Sequence, residues 1–113
     1  MGYKVAAASS DGKFINDHFG RSRQFYIFEV DDKDEYHFLE LRQNTPACNS
    51  GEHGENTMEK SVNLLADCRY VLVSRIGRSA EQLLEAKGVK ALTIPDFIED
   101  ALPKLIKAET TGK

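Results

Sequence analysis

The chain has 113 residues, of which 41% are hydrophobic and 29% charged, an ordinary composition for a globular protein. Its length suffices for one compact domain and not for two. A formal net charge of -3 gives no overall electrostatic basis for binding nucleic acid. No segment has the pattern of a signal peptide or the roughly 20 apolar residues of a membrane span. We therefore expect a cytoplasmic protein with neither nucleic acid nor a membrane as a partner.

The first part of the chain predicts three strands. Residues 3–9 are apolar on both faces around Val5-Ala6-Ala7-Ala8, as is typical of a central strand. Residues 24–30 contain the β-prone run Phe25-Tyr26-Ile27-Phe28. After a polar turn at 31–35, residues 36–43 alternate between the two faces of a strand. The second and third strands are expected to form a hairpin.

Helices and strands alternate after the loop at 44–55. Asn56 with Glu59 predicts the start of one helix, and Ser79 with Gln82 predicts the start of another. Gly88 is expected to end the second helix. Short apolar segments at 70–74 and 89–94 are predicted strands.

A third helix is predicted to begin near Asp96, which could cap it together with Glu99. Pro103 fits this helix poorly, because its ring and missing N–H disrupt the preceding turn. The sequence therefore predicts either a kink at Pro103 or a helix that effectively begins near Asp100.

The predicted element order is β-β-β-α-β-α-β-α, an α/β fold with one mixed five-stranded sheet and helices packed on it. Right-handed crossovers place the strand at 70–74 parallel to the first strand and beside it. We expect a single domain over residues 1–108, followed by a disordered tail at 109–113.

Ligands of open α/β sheets bind outside the carboxyl ends of the strands, where connections diverge. Two loops are expected there, at 10–23 and at 75–79. The second loop runs into a helix N-terminus, whose unpaired N–H groups and partial positive charge favour anions. The two loops carry four arginines: Arg21, Arg23, Arg75 and Arg78. The sequence thus predicts an anion-binding crevice; in the alternative, some of these arginines are solvated and point apart.

Histidines and cysteines are the candidate metal ligands. His18 in the first loop could bind a metal or could be a turn histidine bonded to the backbone. Cys48 lies in a Gly-containing loop five residues before His53, and it is either a second ligand or an idle thiol. Cys68 begins an apolar strand, which favours buried packing. His37 alternates with apolar residues, which predicts a partly buried structural histidine.

Other polar residues carry less weight. Two cysteines twenty positions apart exclude a self-sufficient zinc or four-cysteine iron–sulfur site, and a cytosolic disulfide between them is improbable. Asp11, Asp17 and Glu52 are predicted to be solvated loop charges. No convincing catalytic constellation is present, so no catalytic residue is predicted.

The segment Asp17-His18-Phe19-Gly20-Arg21-Ser22 resembles the HFG motif of the dinitrogenase iron–molybdenum cofactor family. That family includes the NifX and NafY proteins and the carboxy-terminal domain of NifB. Pro46-Ala47-Cys48 and residues 67–77 also resemble it, especially its NifB type. The resemblance extends from Tyr3 to about Lys107.

The resemblance implies a ribonuclease-H-like fold and a non-enzymatic protein of nitrogen fixation. Such a protein binds and carries an iron–sulfur cluster, either the iron–molybdenum cofactor or its precursor, and nitrogenase assembly proteins are its expected partners. The family's cofactor-binding histidine falls on His18, and Cys48 matches a loop cysteine of the NifB type. These 113 residues have no three-cysteine motif of the radical-SAM kind, so that chemistry is not expected. The predicted cofactor-binding residues are His18, Phe19, Gly20, Arg21, Ser22, Cys48, Arg75, Gly77, Arg78 and Ser79, with His18 and Cys48 as metal ligands.

Two alternatives stay open at this point. The chain could bind a metal–sulfur cluster unrelated to nitrogenase, such as a molybdenum–copper cluster. It could also be a regulatory domain whose crevice binds an anionic small molecule, since the helix entry suits a phosphate about as well as a cluster. A nuclease is disfavoured, because the carboxylates of a ribonuclease-H site are not evident.

Overall fold

The computed structural model describes residues 2–44 and 54–111. Within these ranges the chain forms five strands and three α-helices. The strands are β1 (Tyr3–Ala8), β2 (Gln24–Val30), β3 (Tyr36–Gln43), β4 (Tyr70–Val73) and β5 (Lys90–Thr93), and the helices are α1 (Gly54–Leu64), α2 (Arg78–Ala86) and α3 (Ile98–Thr111). The predicted element order is confirmed.

The strands form one mixed sheet in the order β3-β2-β1-β4-β5. β2 is antiparallel to both β1 and β3, whereas β4 is parallel to both β1 and β5. The central position of β1 explains its apolar run from Val5 onward, since Ala6, Ala7 and Ala8 are completely buried. The predicted placement of residues 70–74 beside the first strand is confirmed by the pairing of Ala6 with Val71.

Helices cover both faces of the sheet, because alternate residues of its central strands point to opposite sides. One core cluster joins the sheet to α1 and α2 and includes Phe25 of β2 and Leu84 of α2. The other joins the sheet to α3 and includes Phe28 of β2 and Leu102 of α3. The result is a three-layer α/β domain. None of the described helices is long and apolar enough to cross a membrane.

Two predicted helix starts are wrong. α1 begins at Gly54, two residues before the expected cap Asn56. α2 begins at Arg78 with Gly77 as its N-cap, and no side chain caps it. Gly77 has an extended backbone, and its carbonyl accepts the N–H of Glu81 at 3.0 Å. The helix therefore starts without help from Ser79, which lies inside its first turn.

The end of α2 and the start of α3 agree better with the boundaries predicted from the sequence. Gly88 lies two residues after the end of α2, beyond the C-cap Lys87, and has φ +82°, the left-handed conformation that glycine adopts most readily, as predicted. Asp96 accepts the N–H of Phe97 through Oδ1 at 2.8 Å, so it bonds to the residue before α3 and not to an N–H of the helix's first turn. α3 then runs from Ile98 through Pro103, so it does not begin at Asp100.

The predicted tail at 109–113 starts inside α3. Residues 109–111 are helical, and residues 112–113 lie outside the described chain. Glu109 accepts a hydrogen bond from the hydroxyl of Tyr70, and its carboxylate lies 3.5 Å from Nη1 of Arg69. These contacts tie the last turn of α3 to the start of β4.

A bulge in the β2–β3 hairpin changes which side chains of β3 share a face. The register shifts between Ile27 and Phe28, whose partners on β3 are Glu40 and Phe38, so Leu39 is an extra residue. The strict alternation assumed from sequence fails at this point. His37 pairs with Glu29 and has 61% of its side chain exposed, so the prediction of a partly buried histidine is wrong.

Candidate functional site

The loop after β1 returns across the carboxyl ends of β1 and β4. The N–H of Asp17 donates to the carbonyl of Ala8 at 3.2 Å, and the N–H of Ser74 donates to the carbonyl of Asp17 at 3.0 Å. His18 then pairs with Arg75 in a parallel β-bridge, with the N–H of Phe19 donating to the carbonyl of Arg75 at 2.9 Å. The two loops that the sequence placed at this edge therefore meet, joined through their backbones.

The earlier part of the same loop is held by its own polar side chains. Asp11 accepts the N–H groups of Lys13 and Phe14 through Oδ1, at 2.9 and 3.1 Å. These hydrogen bonds lower the pKa of the Asp11 carboxyl. The hydroxyl of Ser9 accepts the N–H of Gly12 at 2.9 Å. Asp11 is therefore a structural acceptor, a role the sequence analysis missed although Asp-Gly spacing is typical of such turns.

His18 presents its imidazole to solvent. In the part of the chain that the structure describes, the ring has no hydrogen-bond partner, and its backbone is extended at φ -77°. Beside it Asp17 is half-buried, and burial raises the pKa of its carboxyl against the opposing effect of His18. The expectation that Asp17 is a solvated charge is thus only partly met. An exposed, unpartnered imidazole on a backbone-fixed residue is suited to bind a metal.

Two other motif residues point away from solvent. The ring of Phe19 is fully buried, with its centroid 5.8 Å from that of Phe25. Ser22 is also fully buried, and its hydroxyl donates to the carbonyl of Gln24 at 2.7 Å. These side chains anchor the loop rather than line its outer surface. Gly20 lies between them in a short 3-10 turn at Phe19–Arg21.

The second loop supplies a positive, open surface. Arg75 and Arg78 are exposed, and among the described residues neither guanidinium has an acidic partner. Apart from its own chain neighbours, no described residue has an atom within 4 Å of the place where a Cβ on Gly77 would lie. The backbone N–H groups in the first turn of α2, near Ser79, have no carbonyl partner within the helix. They add partial positive charge to this edge of the sheet. This edge can therefore attract an anion.

The other candidate residues lie in different parts of the chain, and only some of them are at this edge of the sheet. Arg23 is exposed just before β2, whose start pairs with the end of β1, so it lies at the same edge. The backbone of Arg21 belongs to the 3-10 turn, and its side chain lies outside the described part. Cys48 and His53 also lie outside the described residues, as does most of the 44–55 loop. Cys68 is buried as predicted, and burial raises the pKa of its thiol to about 12.

Together these features define a small α/β domain that carries along one sheet edge an exposed imidazole, a helix entrance and guanidiniums without an acidic partner among the described residues. The family model described as "Dinitrogenase iron-molybdenum cofactor" matches residues 1–108, and the chain belongs to this family.

Two curated relatives and one solved structure illustrate the similarity. The chain is 32% identical over 99 residues to the FeMo cofactor biosynthesis protein NifB of Chlorobaculum tepidum, covering 87% of this chain and 22% of that protein. It is 32% identical over 98 residues to Protein NifX of Azotobacter vinelandii, covering 82% of this chain and 57% of that protein. The chain thus spans about a fifth of the NifB relative and just over half of this NifX. The crystal structure of PH0822 superposes with a TM-score of 0.70 at 22% identity, covering 93% of this chain and 90% of that one, which supports the fold alone.

Proposed function

We propose that this domain takes part in iron–molybdenum cofactor biosynthesis by binding an anionic iron–sulfur cluster, the cofactor or its precursor, as cargo. The observation that carries the proposal is the exposed imidazole of His18, bridged through its backbone to Arg75 beside the start of α2. A site of this kind offers both a ligand atom for a metal and positive charge for the sulfides around it.

In this proposal the residues have distinct roles. The imidazole of His18 coordinates one cluster iron or molybdenum. Arg75, Arg78 and the N-terminal amides of α2 offset the cluster's negative charge, since a helix N-terminus stabilises an anion by about 0.3–1 kcal/mol. Cys48 is proposed as a second, thiolate ligand on the sequence resemblance alone. No bond of the cargo is made or broken by the domain, so its role is carriage and not catalysis.

The setting follows from the same proposal. A carrier of this kind receives its cluster from one assembly protein and delivers it to another, which makes nitrogenase assembly proteins its partners and the cytoplasm its location. We also propose a ribonuclease-H-like classification, supported by the strand order β3-β2-β1-β4-β5 with β2 antiparallel to its neighbours.

The test is anaerobic loading of the protein with isolated iron–molybdenum cofactor, followed by desalting and metal analysis. Wild type should retain iron and molybdenum, and His18→Ala should bind at least tenfold more weakly. His37→Ala is the matched control, because His37 is an exposed histidine at the other end of the hairpin, and it should bind as wild type does. Equal retention by wild type and His18→Ala would remove His18 from the site, and no retention by wild type would refute carriage.

The charge component has its own variant. The double substitution Arg75→Gln with Arg78→Gln should weaken retention and reduce its dependence on ionic strength, because exposed charges are screened by salt. Metal analysis of the protein purified without oxygen separates the two kinds of cargo. Iron with sulfide supports the proposal, whereas molybdenum with copper would assign the site to a different cluster.

A further inference from the structure

A second group of metal-ligand side chains lies at the turn between β2 and β3. Four of the five residues from Asp31 to Glu35 are acidic, and His37 follows two positions later. One ligand atom from each of Asp31, Glu35 and His37 lies within 4.8 Å of the others. Nε2 of His37 is 3.1 Å from Oδ2 of Asp31. An imidazole and two carboxylates therefore lie close enough for one ion to reach all three after small side-chain rotations.

This group is separate from the edge that carries His18. β2 begins at that edge and ends at the turn, and its seven residues span about 20 Å at the rise of a β-strand. The two groups therefore lie at opposite ends of the sheet, and one ion or cluster cannot bridge them.

The turn fixes Asp31 before any ion arrives. Oδ1 of Asp31 accepts the N–H groups of Lys33 and Glu35, at 2.9 and 3.0 Å. Oδ2 is the oxygen left to face His37. The position of His37 is set independently, by its pairing with Glu29 across the hairpin. Backbone contacts therefore position both Asp31 and His37, in addition to the contact between their side chains.

The spacing suits a transition-metal ion. Two ligand atoms bound at about 2.1 Å and at the tetrahedral angle of roughly 109° lie ~3.4 Å apart. The 3.1 Å between Nε2 of His37 and Oδ2 of Asp31 is slightly shorter, and a small rotation of the exposed imidazole brings the pair to this spacing. Glu35 is exposed, so its carboxylate can rotate to close the remaining distance. A donor set of one imidazole and two carboxylates suits first-row divalent ions, and the imidazole disfavours Ca²⁺ and Mg²⁺.

A cavity adjoins the group and leaves room for further ligands. Its volume is about 670 Å³, and its walls include Glu35, Tyr36 and His37 from the hairpin with Pro103 and Ile106 from α3. Two of the three ligand residues line it. Three protein ligands leave at least one coordination position open, which water or a small oxygen ligand from this space could fill.

We propose that Asp31, Glu35 and His37 form an open three-ligand site for a first-row divalent cation of the Zn²⁺ or Co²⁺ type. The site is independent of the cluster-binding function proposed for His18. An ordinary His–Asp hydrogen bond on the surface is the alternative that the experiment must exclude.

The test uses Co²⁺, a paramagnetic ion that marks its own position in NMR spectra of the full chain. Amide resonances of residues 30–38 should shift or broaden on addition of stoichiometric Co²⁺ to wild type. His37→Gln and Glu35→Gln should each need at least tenfold more Co²⁺ for the same effect. Both replaced side chains are exposed, so the variants should fold as wild type does, and their unliganded spectra verify this.

His18→Gln with Cys48→Ser is the matched control, because it removes ligands of the other region and should keep the response at residues 30–38. Isothermal titration with Zn²⁺ on the same proteins provides the affinity. An unchanged response in His37→Gln would overturn the proposal, as would a wild-type spectrum unaffected at residues 30–38. Perturbation confined to residues near 18 would place Co²⁺ at the other edge and also overturn it.

Discussion

Replacing Phe19 by alanine should destabilise the domain strongly, whereas the same replacement of its neighbour His18 should not. The two residues are adjacent in the motif but differ in environment. The ring of Phe19 is completely buried and contacts Phe25, while His18 is exposed with no hydrogen-bond partner among the described residues. The pair therefore separates the anchoring part of the motif from its ligand-binding part.

The expected magnitude follows from burial. Removing a fully buried phenylalanine ring costs about 3–5 kcal/mol through lost transfer energy and the cavity left behind. Domains of this size are stable by about 5–15 kcal/mol, so Phe19→Ala should still fold in the absence of denaturant if wild type lies near the middle of that range. A surface replacement such as His18→Ala should stay within about 0.5 kcal/mol of wild type. With a urea m-value of about 2 kcal/mol/M, Phe19→Ala should lower the urea midpoint by about 2 M.

The assay is equilibrium urea unfolding of the cluster-free protein, followed by far-UV circular dichroism because the chain has no tryptophan. A loss below about 1 kcal/mol in Phe19→Ala would refute the anchoring role, since a buried ring cannot be removed so cheaply. A loss in His18→Ala equal to that in Phe19→Ala would refute the division of roles. In that case weaker cluster binding by His18→Ala could no longer be read as the loss of a ligand.

Three further predictions concern residues outside the proposed ligands. Gly12→Ala should lower the free energy of unfolding by about 1–2 kcal/mol, because Gly12 has φ +77° and a Cβ there would lie 2.8 Å from a tyrosine ring of β2. Thermal unfolding measures this loss. The ion pair with Arg42 lowers the pKa of the Asp67 carboxyl. The stabilisation from this pair is therefore present above the unfolded-state pKa of about 3.9 and is lost as pH falls below that value. Asp67→Asn should make the free energy of unfolding less dependent on pH between 6 and 3. The thiol of Cys68 should react with a disulfide reagent at pH 8 far more slowly in folded Cys48→Ser protein than in urea, because burial raises its pKa to about 12.

Each of these predictions has a control or a contrary outcome. Gly77→Ala should cost less than Gly12→Ala, since Gly77 has φ -78° and open space where the Cβ would lie. A pH dependence in Asp67→Asn equal to that of wild type would mean that the ion pairs of Asp67 with Arg42 and Lys4 contribute nothing to acid stability. Rapid labelling of folded Cys48→Ser protein would show that the remaining thiol is accessible.

Topology is the part of this protein that sequence predicts best. The bounds of β2 and β3 are as predicted, because each is a strongly β-prone segment between polar turns. The meeting of the loops at His18 and Arg75 follows from connection rules, since a right-handed crossover leaves few places for β4. These inferences depend on residue patterns along whole segments, and single side chains have little influence on them.

Local geometry is the part that sequence predicts poorly. One bulge residue, Leu39, moves every later side chain of β3 to the opposite face, and periodicity alone gives no sign of it. The start of α2 depends on the backbone of Gly77, so the capping pattern at Ser79 was misleading. Within the motif, sequence cannot separate the buried Phe19 from the exposed His18, because both residue types occur in binding loops.

The hydrogen bonds that hold the motif show why His18 can be tested without disturbing the fold. Three backbone bonds fix residues 17–19, between Asp17 and Ala8, Ser74 and Asp17, and Phe19 and Arg75, and none needs a particular side chain at position 18. The ring of Phe19 supplies the buried anchor. The imidazole of His18 makes no hydrogen bond within the described chain, so its removal leaves this framework in place. A loss of cluster binding in His18→Ala with unchanged stability would therefore report on the chemistry of the imidazole itself.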